Sequence, residues 1–346
     1  MHHWRDFLQQ QGFTHLPQGG IYTTATGADT DTHLTDLSNY GSLTVSGPDA
    51  RQFLQGQVTC DLNEVTAEQG LTGAYCTPKG SVIANFDLWQ IDDGFMLHMA
   101  ADVVSGVHAA LGKYIVFSKA QLHSQNTEWV RLGIWGKQAR MAVQQLCPIA
   151  PAERAVKSFS QGFVYCTSAT QERYVIYCRP EAAQVTWEQL SNHAQPTSTA
   201  AWEINQIQDG LVYVNATISE QYVPQMLNLQ ELGSINFRKG CYTGQEIVAR
   251  MQYLGKLKRH LYLGRISNTT DNPQVGMQID ASKRNNVGQI TSLAKIQENH
   301  YWFTAVINIK EAESECLTVS GMDNSQIDLQ PLPYSIDEQV FERIRL

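Results

Sequence analysis

The sequence predicts an α+β protein in which strands and helices mix up to about residue 254 and a β-barrel-like domain closes the chain. Two observations carry that reading. Before residue 255, short apolar β-type runs alternate with segments whose apolar residues recur at helical spacing. After Gly255 the helical spacing stops, and short β-rich runs follow one another between turn residues. A chain of 346 residues also exceeds what one core usually supports. Three regions are expected, 1–125, 126–254 and 255–346.

The first ordered unit is expected to begin near Leu34. Leu43-Thr-Val-Ser-Gly reads as a strand running into a turn, and Pro48 and Asp49 suit the start of the short helix that follows. Ala74 to Cys76, Val82 to Ile91 and Phe95 to Met99 read as strands, with Asp92-Asp-Gly94 as a hairpin-type turn. Val103, Val107, Ala110, Leu111 and Tyr114 recur at helical spacing, and Ile115-Val-Phe117 is expected to begin another strand. In the middle region, strands are expected at Trp129 to Trp135, Gly162 to Cys166 and Tyr174 to Cys178. Helices are expected at Gln138 to Leu146 and Glu181 to His193, with a polar linker at Gln195 to Thr199. The last region offers Leu261 to Ile266, Met277 to Ile279, Gly288 to Ile296, Tyr301 to Ile309 and Cys316 to Val319 as strands.

Composition narrows the function. A formal net charge of −8 argues against a broad electropositive surface, so no direct, stable nucleic-acid binding is expected and any such contact is local. The strongest local candidate is Arg250 to His260, where Lys256, Lys258, Arg259 and His260 cluster; the same run also reads as a solvated face, and it suits a small anionic ligand better than a duplex. Seven cysteines without a C-x-x-C pair fit a reduced, cytoplasmic chain and no zinc site. No stretch approaches the ~20 apolar residues of a membrane span, so no membrane partner is expected. Dinucleotide and P-loop glycine patterns are absent from the sequence.

The densest chemistry lies in Arg238-Lys-Gly-Cys-Tyr-Thr-Gly-Gln-Glu246. Thr243 and Glu246 have the T-x-x-E spacing of a capping box, which predicts a helix start there with Cys241 just ahead of its positive end. Lys239 and Arg238 add positive charge, and such surroundings favour a thiolate. The alternative is a buried cysteine that serves as a small apolar residue. The other six cysteines sit in surroundings of no such kind.

This segment resembles the K-G-C-[FY]-x-G-Q-E signature of YgfZ-type folate-binding proteins. The likeness extends to Tyr222-Val-Pro-Gln-Met-Leu-Asn-Leu229, to Leu43 through Asp61 with Val45-Ser-Gly-Pro-Asp-Ala50 and Phe53-Leu-Gln-Gly-Gln-Val-Thr59, and to Gln330-Pro-Leu-Pro-Tyr-Ser335. The front segment is also similar to the related glycine-cleavage T-protein. The resemblance implies two intertwined mixed α/β domains of the T-protein type plus a C-terminal β-barrel, arranged around a central cavity. It further implies binding of tetrahydrofolate or a one-carbon derivative, and a role in assembling or repairing iron–sulfur client enzymes, including those that thiolate tRNA. Cys241 becomes the candidate catalytic residue. Lys239, Gly240, Tyr242, Gly244, Gln245, Glu246 and Arg250 are its motif neighbours. Tyr40, Trp202, Gln208 and Asp209 fall at folate-contacting positions. An aromatic at Trp202 could stack a pterin or benzoyl ring, or fill core beside Ile204 and Ile207.

Two departures bear on activity. The T-protein carries an acidic pair in the segment matching Gly80-Ser-Val-Ile-Ala-Asn-Phe, where this chain has Ala84 and Asn85. Neither side chain can act as a carboxylate acid or base, so aminomethyl transfer is not expected. Folate-binding relatives often carry glutamate where this chain has Gln208, which leaves Asp209 as the nearby carboxylate. The rival readings are a folate-dependent aminomethyltransferase, with Asp87 as a substitute acid, and a non-catalytic folate-binding module.

Overall fold

The structure is a computed structural model that describes residues 2–24, 31–125, 127–269, 271–314, 316–322 and 324–336. The chain separates into two compact units. One comprises residues 1–54, 61–71 and 86–202, the other 55–60, 72–85 and 203–346. No helix among the described residues is long and apolar enough to cross a membrane.

In the first unit, a six-stranded sheet runs in the order Val156–Phe159, Gly162–Ser168, Arg173–Cys178, Val130–Gly136, Thr32–Asp36, Gln195–Pro196. Its pairings are antiparallel except the last. Val130, Leu132 and Ile134, every second residue of one strand, point into a core shared with Trp187 and Leu190. The N-terminal helix His2–Gln10 completes that core with Trp4, Phe7 and Leu8, and Trp4 Nε1 donates to Asp36 Oδ2 at 2.8 Å. Order therefore begins at this helix rather than near Leu34. Its i, i+3, i+4 apolar pattern is too short to stand out in the sequence. The polar linker expected at 195–199 is instead ordered. Gln195 and Pro196 pair with His33 and Leu34, and Thr199 opens the helix Thr199–Gln208.

The opposite face of the sheet meets a second set of strands. Tyr40–Ser46 pairs with Gly94–Ala100 and Gln121–Ser124, and Gly94–Ala100 pairs across the Asp92-Asp93 turn with Val82–Ile91. The layer between them is unusually polar. His98 Nδ1 and Tyr177 Oη are 2.6 Å apart, Tyr165 Oη donates to Asp87 Oδ1 at 3.3 Å, and Arg131 donates to Ser42 Oγ at 2.8 Å. Burial, reinforced by Arg131, pushes His98 down to about 3, so its ring is neutral. The apolar run Ile115–Phe117, expected to begin a strand, is a 3₁₀ turn with Phe117 97% exposed. Ile, Val and Phe favour strands only where a neighbour covers them, and here Ile115 is half-buried while Val116 and Phe117 are exposed.

The second unit contains a curled six-stranded antiparallel sheet in the order Leu317–Val319, Gln278–Ala281, Arg284–Gln297, His300–Asn308, Arg259–Ser267, Gln326–Gln330. Ile266, Ile279, Ile290, Phe303 and Ile307 form its core. Register shifts between Ile290 and Ser292 and between Lys295 and Gln297 let the long strand Arg284–Gln297 bend. A separate core holds Cys76, Val82, Val214, Leu227 and Val248 and supports the signature segment.

Candidate functional site

The signature segment is a loop anchored at both ends with its centre exposed. Asn236 Oδ1 accepts from the backbone N–H of Arg238 at 2.8 Å and of Lys239 at 3.0 Å, which fixes the entry turn. Lys239 is buried, and its Nζ donates to the carbonyls of Val58 and Cys60 at 2.7 Å each. The same amine lies 5.3 Å from the ring centroid of Tyr242. Beyond the bend, Tyr242 is buried, with its hydroxyl pKa pushed up by burial and by nearby Cys76. Thr243 donates its backbone N–H to Gly56 O at 3.2 Å and its Oγ1 to Gln57 Oε1 at 3.1 Å. Between these anchors Gly240 and Cys241 are exposed.

The capping box expected of Thr243 and Glu246 does not form. The helix runs Gln245–Leu254, its N-cap is Gly244, and no side chain caps it. Gly244 has φ +85°, and a Cβ there would lie 2.5 Å from Thr77 O. The chain therefore turns left-handed at Gly244, and Thr243 is drawn toward Gln57 rather than the helix N-terminus. Cys241 precedes the cap by three residues, outside the first turn where a helix dipole acts. What distinguishes this thiol is access. Of the other cysteines only Cys316 is exposed. Burial pushes Cys76, Cys166 and Cys178 up to about 12 and raises Cys147. At pH 8, four units below 12, such thiols are about one part in ten thousand thiolate. Brief iodoacetamide treatment of the native protein at pH 8 is expected to label Cys241 and Cys316 and spare the five buried thiols, as read by peptide mass spectrometry. Labelling of Cys241 no faster than of Cys178 would remove it as an available nucleophile.

The residues that the resemblance assigned to folate fall in different surroundings. Tyr40 is buried and stacks on His98 with centroids 4.9 Å apart. Trp202 is fully buried. Its ring lies so close to Gly133 that a Cβ there would be 2.7 Å from Trp202 Cε3, and Trp135 meets it edge-on at 5.5 Å. Trp202 is thus a core side chain in this conformation, although its Nε1 is buried without a hydrogen-bond partner among the described residues. Gln208 is exposed at the end of its helix, and Asp209 is half-buried beside Gly210.

Around Gly210 the second unit forms a polar network that was not foreseen. Tyr334 Oη donates to Gly210 O at 2.9 Å and accepts from Asn228 Nδ2 at 3.2 Å. Asn228 Oδ1 is buried and lacks a partner among the described residues. Tyr334 and Asn228 belong to segments singled out by resemblance, but their meeting is long-range and left no local sequence signal. Asn85 is also explained. Its Nδ2 donates to Val212 O and its Oδ1 accepts from Val214 N, both at 2.7 Å. An aspartate would lack the N–H for the first bond. Ala84 is buried and Asp87 accepts from Tyr165, so neither expected position presents a free acid. A cleft of about 800 Å³ in the first unit, lined by Thr44, Trp89, Met96, Trp129, Phe163 and Arg179 among others, includes none of the residues expected at the site. No cluster of three or more metal-ligating side chains occurs among the described residues.

The fold is that of the glycine-cleavage T-proteins. The glycine cleavage system aminomethyltransferase T from Bartonella henselae matches with a TM-score of 0.73 over 95% of this chain and 96% of that one, at 14% sequence identity. The GCVT N-terminal domain family matches residues 21–236. The tRNA-modifying protein YgfZ of Photorhabdus laumondii is 31% identical over 311 residues, covering 88% of this chain and 93% of the relative. The protein of the same name from Yersinia pestis is 32% identical over 309 residues, with the same coverage. The chain belongs to the YgfZ family of GCVT-domain proteins.

Proposed function

We propose that this protein binds tetrahydrofolate or a one-carbon derivative and uses the Cys241 thiol in assembling or repairing iron–sulfur enzymes, including those that thiolate tRNA. The observation that carries this reading is the anchored signature loop, which holds Cys241 exposed with its Sγ free of hydrogen bonds among the described residues. The name of the relatives, tRNA-modifying protein, supports the same end point.

The polar groups around Gly210 suit a pterin. Asn228 Oδ1 is a buried acceptor with no internal partner, and such groups are normally satisfied by water or ligand. Gln208 and Asp209 add an amide and a carboxylate able to accept from pterin N–H groups. A bound one-carbon derivative would supply a one-carbon unit, which tetrahydrofolate itself could accept. Tyr40 and Trp202 are already packed against His98 and Gly133, so in this conformation they shape the surrounding core. The bridging role of Asn85 weighs against the aminomethyltransferase reading, because that side chain is committed to Val212 and Val214.

Calorimetric titration with tetrahydrofolate and its formyl and methylene forms tests the folate half of the proposal. Binding is expected, and Gln208→Glu is expected to tighten it by about tenfold, the scale of one charge-assisted hydrogen bond worth ~1.5 kcal/mol. Absence of heat with all three forms would sink that half. Methylene-tetrahydrofolate formation from aminomethylated carrier protein would instead promote the transferase reading.

A further inference from the structure

We propose that the end of the helix Gln245–Leu254, with the segment that follows it, is a contact surface for an unpaired RNA loop. Arg238, Arg250, Lys256, Lys258 and Arg259 are all exposed. No side chain among the five makes a hydrogen bond or ion pair among the described residues. In a chain of net charge −8 they form a local run of positive charge, of which Arg259 alone is felt by a buried group, Tyr222, and only through its charge. Tyr253 lies among them, 67% exposed, and Leu254 beside it is 74% exposed. Arg250 and Tyr253 are three residues apart and so neighbours on the helix surface. Phe237 meets the Tyr253 ring edge-on at 6.1 Å, which brings the backbone of the loop that carries Arg238 close to this helix end.

Unpaired nucleic acid asks for this combination. Phosphates are neutralised by flexible cations, and a splayed base stacks on an exposed aromatic face. A duplex offers no free base to Tyr253, and five cations in an acidic protein give only a short electrostatic footprint. An acidic protein surface would also use the cations, whereas stacking of a splayed base gives the tyrosine face a defined role beside them. The expected contact is therefore weak, local and salt-sensitive. It depends on neither bound folate nor the Cys241 thiol, so it can fail while the proposed function stands.

Fluorescence anisotropy of the full-length protein tests it, with an end-labelled RNA hairpin bearing an unpaired loop as probe. A fully paired RNA of equal length and polyglutamate serve as competitors. The hairpin is expected to bind at low salt and to be displaced poorly by either competitor. Tyr253→Ala is expected to weaken it by about fivefold or more with little change in salt dependence. Lys256→Gln and Lys258→Gln should each lower the slope of log affinity against log salt by about 0.7. These exposed substitutions leave the fold intact, which circular dichroism checks. Equal competition by polyglutamate, with no response to Tyr253→Ala, would make this a protein-docking surface and overturn the proposal. Equal binding of the paired RNA, or no binding at low salt, would overturn it as well.

Discussion

Cys241→Ser, expressed in cells that lack the native gene, is expected to fold normally and to leave iron–sulfur enzyme activity at the level of the empty vector. Two facts separate folding from function at this position. The side chain is exposed and makes no hydrogen bond among the described residues, so its replacement should change stability by no more than about 0.5 kcal/mol. The loop that carries it is fixed by its neighbours, through Asn236, Lys239 and Thr243. Serine keeps the shape and loses the thiol, so only chemistry at sulfur should disappear. Folate titration of the variant should match the wild type, because the network of Tyr334, Asn228 and Gly210 contains no part of the loop. Full restoration of enzyme activity by the serine variant would show that the thiol is incidental and favour a non-catalytic folate-binding module. Loss of activity together with loss of folding would contradict the anchoring just described.

How much of this was legible in the sequence depended on the range of the interaction that decided each feature. Val82–Ile91 and the Asp92-Asp93 turn were readable because strand alternation and turn chemistry are local. Five of the six strands beyond Gly255 were readable for the same reason, whereas Gln326–Gln330, only half-buried along its length, was not among those expected. Ile115–Phe117 was misread because an apolar run declares itself while the neighbour that must cover it does not. The capping box at Thr243 failed for a longer-range reason. Thr77 O approaches Gly244 so closely that only glycine fits, and the left-handed turn there takes Thr243 away from the helix end. The packing of Trp202 on Gly133 joins residues far apart in the chain. A stacking surface and a core filler look alike in sequence, and only the contact tells them apart. The same holds for Lys239, which reads as a loop cation and is in fact the buried anchor of the loop.

That burial makes Lys239→Met the substitution with the largest expected effect on stability. A protonated lysine has three donors and no acceptor, and here two are directed at Val58 O and Cys60 O at 2.7 Å. Val58 and Cys60 are themselves almost fully buried, so water cannot easily replace the lost donor. Hydrogen bonds from a charged donor contribute about 1.5–3 kcal/mol each, and a buried acceptor left empty carries a comparable penalty. Against this stands the cost of burying the amine, which methionine avoids while filling much of the same volume. The net expectation is a loss of about 2–4 kcal/mol, read as a lower urea midpoint with an unchanged slope. The loop should loosen with it, so limited proteolysis under native conditions should cut near residues 239–241 in the variant before the wild type is cut there. Cys241→Ser should show neither effect, since it touches none of the anchors. A methionine variant as stable and as protease-resistant as the wild type would mean that desolvation cancels both hydrogen bonds, and that Asn236 and Thr243 hold the loop without Lys239.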